Sequence, residues 1–109
     1  MTTFAQAKYK KQARIIKALA HPTRLFIVDE LSRGERCVCE LRDMVGVEMP
    51  TVSRHLGVLK SAGILDDDKR GLQVFYHLRV PCVLNFFKCV EAVQRNDGKT
   101  IKRPGGKCL

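Results

Sequence analysis

Between Leu41 and Leu78 the spacing of apolar residues changes once, from helical to alternating, and that change limits the folds open to the chain. Upstream, Leu41, Met44 and Val45 share one face of a short helix over about 38–45. Gly46-Val47-Glu48-Met49 is a turn, and a further helix starts near Pro50. It carries Val52, Leu56 and Leu59 at i, i+4 and i+7, the stripe of a helix held on a core, and stops at Gly63. Downstream, Ile64-Leu65-Asp66 is a short strand and 67–71 a polar turn. Residues 72–78 then alternate, with Leu72, Val74, Tyr76 and Leu78 on one face. Helix, turn, helix and hairpin together form a winged helix-turn-helix pattern.

The rest of the chain frames this unit. Residues 4–19 read as a helix marked by Phe4, Ile15, Ile16 and Leu19. His21-Pro22-Thr23 breaks it, and a second helix runs from Pro22 to about Ser32. Pro81 opens a last helix to about Gln94, with Val83, Phe86, Phe87, Val90 and Val93 on one side. The expected fold is mostly α, five helices plus a β-hairpin wing. A chain of 109 residues supports one domain, placed at 1–95, with 96–109 as a flexible basic tail. The first and last helices carry more apolar surface than so short a chain can bury, so a two-fold homodimer is expected.

Composition narrows the partner. Twenty Lys and Arg against eleven Asp and Glu leave a net charge of +9. Such an excess points to a polyanion, with nucleic acid first and an anionic membrane surface second, beside the plainer reading of a basic solvated surface with no partner. The outward positions of the helix after the turn are Thr51, Ser53, Arg54, His55 and Lys60, residue types that reach phosphates and base edges in a major groove. Lys69, Arg70 and Gln73 of the hairpin would hold the flanking backbone. The longest apolar run falls far short of the about 20 residues of a membrane span, and the N-terminus has no apolar signal stretch, so a cytoplasmic protein is expected. No nucleophile–base pair or phosphate-cradling loop is present, so no enzyme is expected.

Five cysteines without an export signal argue for reduced thiols. Cys37 and Cys39 open the third helix, where a helix N-terminus and Arg36 favour thiolate. Two soft sulfurs at that spot suit trivalent arsenic, antimonite, cadmium, lead or zinc. On a regular helix residues two apart point to nearly opposite sides, so a shared ion requires a distorted first turn.

Three stretches resemble the ArsR/SmtB family of metalloregulatory repressors: Ala18 to Leu25 with Cys37 to Leu41, Met49 to Leu65, and the wing Lys69 to Leu78. The resemblance spans about residues 15–92. It implies a homodimeric repressor that leaves its operator when arsenite or a related trivalent metalloid binds cysteine thiolates. It also exposes a departure. The third cysteine of the family's arsenite sensors falls at Arg42 here, and residues 1–36 lack the N-terminal cysteines of its lead and cadmium sensors. A third sulfur must come from Cys108, favoured because it sits on the tail, or from Cys82 or Cys89 of either subunit. The last helix offers only Glu91 toward the zinc site of the family's zinc sensors. Two alternatives stand beside metalloid sensing: a thiol-redox repressor of the same fold, and a basic interaction module without an inducer.

Overall fold

The structure, a computed structural model, describes residues 6–95. The expected tail at 96–109, Cys108 within it, and Phe4 lie outside the described residues. The order is α1 (Gln6–Leu19), α2 (Pro22–Leu31), β1 (Arg36–Cys37), α3 (Val38–Val45), α4 (Met49–Ser61), β2 (Leu65–Arg70), β3 (Gln73–Leu78) and α5 (Val83–Arg95). The fold is the expected winged helix-turn-helix, with one more strand.

Local chemistry sets the boundaries. His21 is the N-cap of α2, its Nδ1 accepting from the Thr23 N–H at 3.0 Å, and Pro22 occupies the first turn, where no N–H is needed. Gly46 closes α3 in the left-handed region, φ 78°, and donates to the Arg42 carbonyl. Ile27, Val28, Leu41, Val52, Leu56 and Leu59 are fully buried in one core, closed by Ile64 and Leu65 at the entry to the wing. Each such side chain contributes about 1.5–3 kcal/mol on leaving water.

Three differences from expectation concern the sheet. Its order is β1-β3-β2, all antiparallel. β2 runs to Arg70, so Asp66, Asp67 and Asp68 lie in the strand rather than in the turn. Full pairing from Leu65↔Leu78 to Arg70↔Gln73 satisfies the backbone that a longer loop would leave to water. The turn shrinks to Gly71-Leu72, with Gly71 at φ 62°, as tight hairpins require. Leu72 is consequently the hairpin tip and 100% exposed, not part of the inner face. β1 is the unforeseen strand, pairing Arg36 with Tyr76 and Cys37 with Phe75.

α5 begins at Val83 rather than at Pro81, after a tight turn closed by the Val83 N–H to the Val80 carbonyl. Its apolar residues Phe86, Val90 and Val93 are exposed, and none of its residues is buried.

Candidate functional site

Two features compete for attention: the outer surface of α4 with the wing, and the cysteine pair beneath it. On α4 the buried stripe Val52, Leu56 and Leu59 turns Ser53, Arg54, Gly57 and Lys60 outward. Thr51 is half-buried at the start of the helix. Ser53 and Arg54 are thus exposed donors on the open side of the helix, as expected.

His55 is not. It is buried, 7% exposed, against the core. Position 55 lies three residues after Val52 and four before Leu59, so helix geometry places it on the inner side. There its ring meets the His21 ring at 4.5 Å, and Arg24 Nη1 lies 3.2 Å from its Nδ1. Arg24 also donates through Nε to the Ala18 carbonyl at 2.7 Å, tying α1, α2 and α4 together. Burial first, then the charges of His21, Arg24 and Arg54, hold the His55 imidazole below its ordinary pKa, so it is neutral. His55 therefore locks the helix down and does not face a duplex.

The remaining basic positions differ in how free they are. Lys60 Nζ lies 2.8 Å from Asp67 Oδ1 on β2, which pins the end of α4 to the wing and pushes the lysine pKa up. Arg70 donates to both Glu35 oxygens, at 2.6 and 2.9 Å, and to Asp68 at 3.1 Å. It also lies over the Phe75 ring, 4.6 Å from the centroid. Hydrogen bonds from Arg70 hold the Glu35 carboxyl below its ordinary range. Arg70 thus anchors the wing to the turn before β1. Lys69 and Gln73 stand exposed on either side of the tip.

The cysteine pair sits where β1 becomes α3. Cys37 is extended, φ −79° and ψ 158°, and is the N-cap of α3 rather than its first helical residue. Its N–H donates to Glu40 Oε1 at 2.9 Å, one half of a capping box. That extended residue swings its sulfur back over the first turn, and the two Sγ atoms stand 3.0 Å apart. No distortion of α3 is needed to bring them together, because only Cys39 belongs to the helix. Cys37 is 5% exposed and Cys39 half-buried.

The expected thiolate at Cys37 is not found. The hydrogen bond with Cys39 and then burial push its thiol up, against the lowering effect of the Glu40 and Cys39 backbone N–H groups. Among the described residues no group of three His, Cys, Asp or Glu is placed to hold a metal ion. Cys82 and Cys89 are exposed, before and on α5, and do not complete the pair within one subunit. What the described residues bring together is a two-sulfur pair.

Sequence reasoning missed β1, the inward turn of His55 and the Glu35–Arg70 clamp. The apolar stripe of α4 carried the signal for His55; the other two depend on partners remote in sequence.

Comparison with known proteins agrees with the fold. Residues 21–67 match the family model for bacterial regulatory proteins of the arsR family. An uncharacterized HTH-type transcriptional regulator of Methanocaldococcus jannaschii is 41% identical over 85 residues, covering 77% of this chain and 96% of that protein. The arsenical resistance operon repressor of Escherichia coli K12 is 46% identical over 66 residues, covering 60% of this chain and 56% of the repressor, so the match spans about half of that relative. The homodimeric winged helix-turn-helix DNA-binding domain of a Mycobacterium bovis protein superposes with a TM-score of 0.76 at 29% identity, over 95% of this chain and 96% of that domain.

Proposed function

The chain belongs to the ArsR/SmtB family of DNA-binding transcriptional repressors, and on that premise we propose that it releases its operator when a thiophilic ligand binds Cys37 and Cys39. The single observation that carries this is the 3.0 Å approach of the two sulfurs at the foot of α3. Trivalent arsenic is the leading ligand, with antimonite, cadmium and lead in the same chemical class. The donor set fits a chelate closed by two sulfurs; a third donor, from Cys108, or from Cys82 or Cys89 of the partner, would complete a three-sulfur site. Each thiol gives up its S–H for a bond to the ligand: with arsenous acid the proton leaves with an arsenic-bound hydroxyl as water, and with a cadmium or lead ion it passes to solvent.

The placement of the pair supports its role as a switch. Cys37 is paired with Phe75 of the wing on one side and caps α3 on the other. α3 in turn supports α4 through Leu41 in the shared core. A change at the sulfurs therefore reaches both elements that would touch DNA. Lowering operator occupancy from 99% to 1% needs a differential of about 5.5 kcal/mol, within the reach of two sites at the usual 1–3 kcal/mol of coupling each.

The repressor acts as a homodimer on double-stranded operator DNA in the cytoplasm, without enzymatic activity. The exposed apolar residues Ile15, Ile16, Phe86, Val90 and Val93 of α1 and α5 support the dimer, as does the homodimeric relative. Two α4 helices about 34–36 Å apart would then enter successive major grooves. Ser53, Arg54 and Thr51 read the groove, with Lys60 at its edge and Lys69, Arg70 and Gln73 on the flanking backbone.

The test is fluorescence anisotropy of a promoter fragment, titrated with arsenite, methylarsenite, cadmium and zinc under reducing conditions, in wild type and each single Cys→Ser variant. Release that needs Cys37 and Cys39 is expected, and the third residue whose loss weakens arsenite but not methylarsenite identifies the third donor. Release by peroxide alone, with no response to any thiophile, would favour the thiol-redox alternative that the same sulfur contact allows.

A further inference from the structure

We propose that Arg14 and Lys17 of α1 form, with the edge of α4, a second phosphate-holding surface that grips the DNA backbone beside the groove read by α4. The inference rests on the DNA-binding function above and adds a helix outside the helix-turn-helix and wing to the interface.

α1 carries Lys8, Lys10, Lys11, Arg14 and Lys17 and no acidic residue. Lys10, Arg14 and Lys17 recur at i, i+4 and i+7, one stripe about 10 Å long. The C-terminal end of this stripe meets α4. A cleft of about 530 Å³ lies between the two helices, with Ala18, Val58 and Ala62 as its apolar lining and Arg14, Lys17, Arg24 and Arg54 around them. Four of its nine lining residues are cations, and among the described residues no carboxylate lines the cleft.

Charge pairing separates these residues from four other cations. Arg33, Arg42, Lys60 and Arg70 each meet an Asp or Glu within 4 Å. Among the described residues Arg14, Lys17 and Arg54 form no such ion pair and are exposed. Arg24 is held at the wall of the cleft by the Ala18 carbonyl and His55. Like charges gathered at one cleft repel one another, and a row of phosphate oxygens relieves that repulsion where a neutral partner does not. The position of the cleft selects the source of the phosphates. Arg54 and Gly57 belong to the outward side of α4, and a side chain added at Gly57 would meet nothing within 4 Å, so this flank of the helix is open. A duplex that accepts α4 in its major groove brings one backbone strand along that flank. Phosphate contacts of this kind position a protein on DNA without reading sequence.

The experiment measures the salt dependence of binding by anisotropy, on the operator fragment and on a random duplex, for wild type, R14Q/K17Q and the charge-matched control R33Q/R95Q. Glutamine keeps helix propensity on α1, and far-UV circular dichroism with thermal unfolding checks the fold of each variant. R14Q/K17Q is expected to lose affinity by the same factor on both duplexes and to flatten the slope of log K against log salt by about 0.9 per lost contact, counted over both subunits. The control is expected to flatten it less. A slope for R14Q/K17Q equal to that of wild type, or changed no more than in the control, overturns the proposal. Wild type showing no preference for operator over random duplex would instead contradict operator reading by α4, and the comparison of slopes on random duplex would still decide the role of α1.

Discussion

The His55 ring lies 4.5 Å from the His21 ring on the inner side of α4, joining the cap of α2 to the helix proposed to read DNA. Arg24 completes the cluster through its contact with His55 Nδ1, and Arg54 adds a further nearby charge. No carboxylate is among the groups that act on the His55 charge, so a proton on it enters a positive neighbourhood.

That arrangement makes the fold acid-sensitive. The folded pKa of His55 lies below the about 6.5 of an unfolded histidine, so its contribution is complete above that value and is lost as pH falls through 6.5 toward the lower folded value. Wild type is expected to lose more thermal stability between pH 7 and pH 5 than His55→Gln, which keeps a hydrogen-bond acceptor for Arg24 and cannot titrate. Equal losses in the two proteins would remove His55 from the acid response.

Leu56 and Leu72 test the placement of the core against the wing tip. Leu56 is fully buried and Leu72 fully exposed. Leu56→Ala is expected to cost about 2–5 kcal/mol in urea unfolding. Leu72→Ala is expected to stay within about 0.5 kcal/mol. A large loss at Leu72 would mean that the hairpin tip packs on the core.

Glu35 holds Arg70 in competition with any phosphate. Glu35→Gln removes the acid that holds the wing from the turn before β1 and loosens its arginine. Tighter operator binding with a steeper salt dependence is expected, read by anisotropy over a salt series. Weaker binding would mean that the clamp orients the wing rather than competing for its charge.

The raised Cys37 pKa gives ligand binding a pH dependence. A divalent cation such as cadmium displaces each thiol proton into solvent, so cadmium affinity is expected to climb from pH 6 to pH 8, with proton release seen as a buffer-dependent heat in cadmium calorimetry. Heats that are the same in buffers of different ionisation enthalpy would exclude thiol protons from the reaction.

The helices were legible because each declares itself locally. Pro22 and Pro50 stand in first turns, Gly46 and Gly63 follow last turns, and Val52, Leu56 and Leu59 keep one period. What stayed hidden depends on partners distant in sequence. β1 is two residues long and exists through pairing with Tyr76 and Phe75. Arg70 is claimed by Glu35, 35 residues upstream. The thiol pair was legible as a pair, but its geometry was not, because the N-cap conformation of Cys37 depends on β1 and on Glu40. His55 shows the opposite fault: its position in the stripe of α4 pointed inward, and its polar side chain suggested the outside.

The most direct measurement is operator release by arsenite from the Cys37→Ser/Cys39→Ser repressor, followed by anisotropy in reducing buffer beside wild type. The predicted result is a double variant that grips the operator as tightly as wild type and stays on it at concentrations that clear wild type. Release of the double variant at the same arsenite concentration as wild type would contradict the switch.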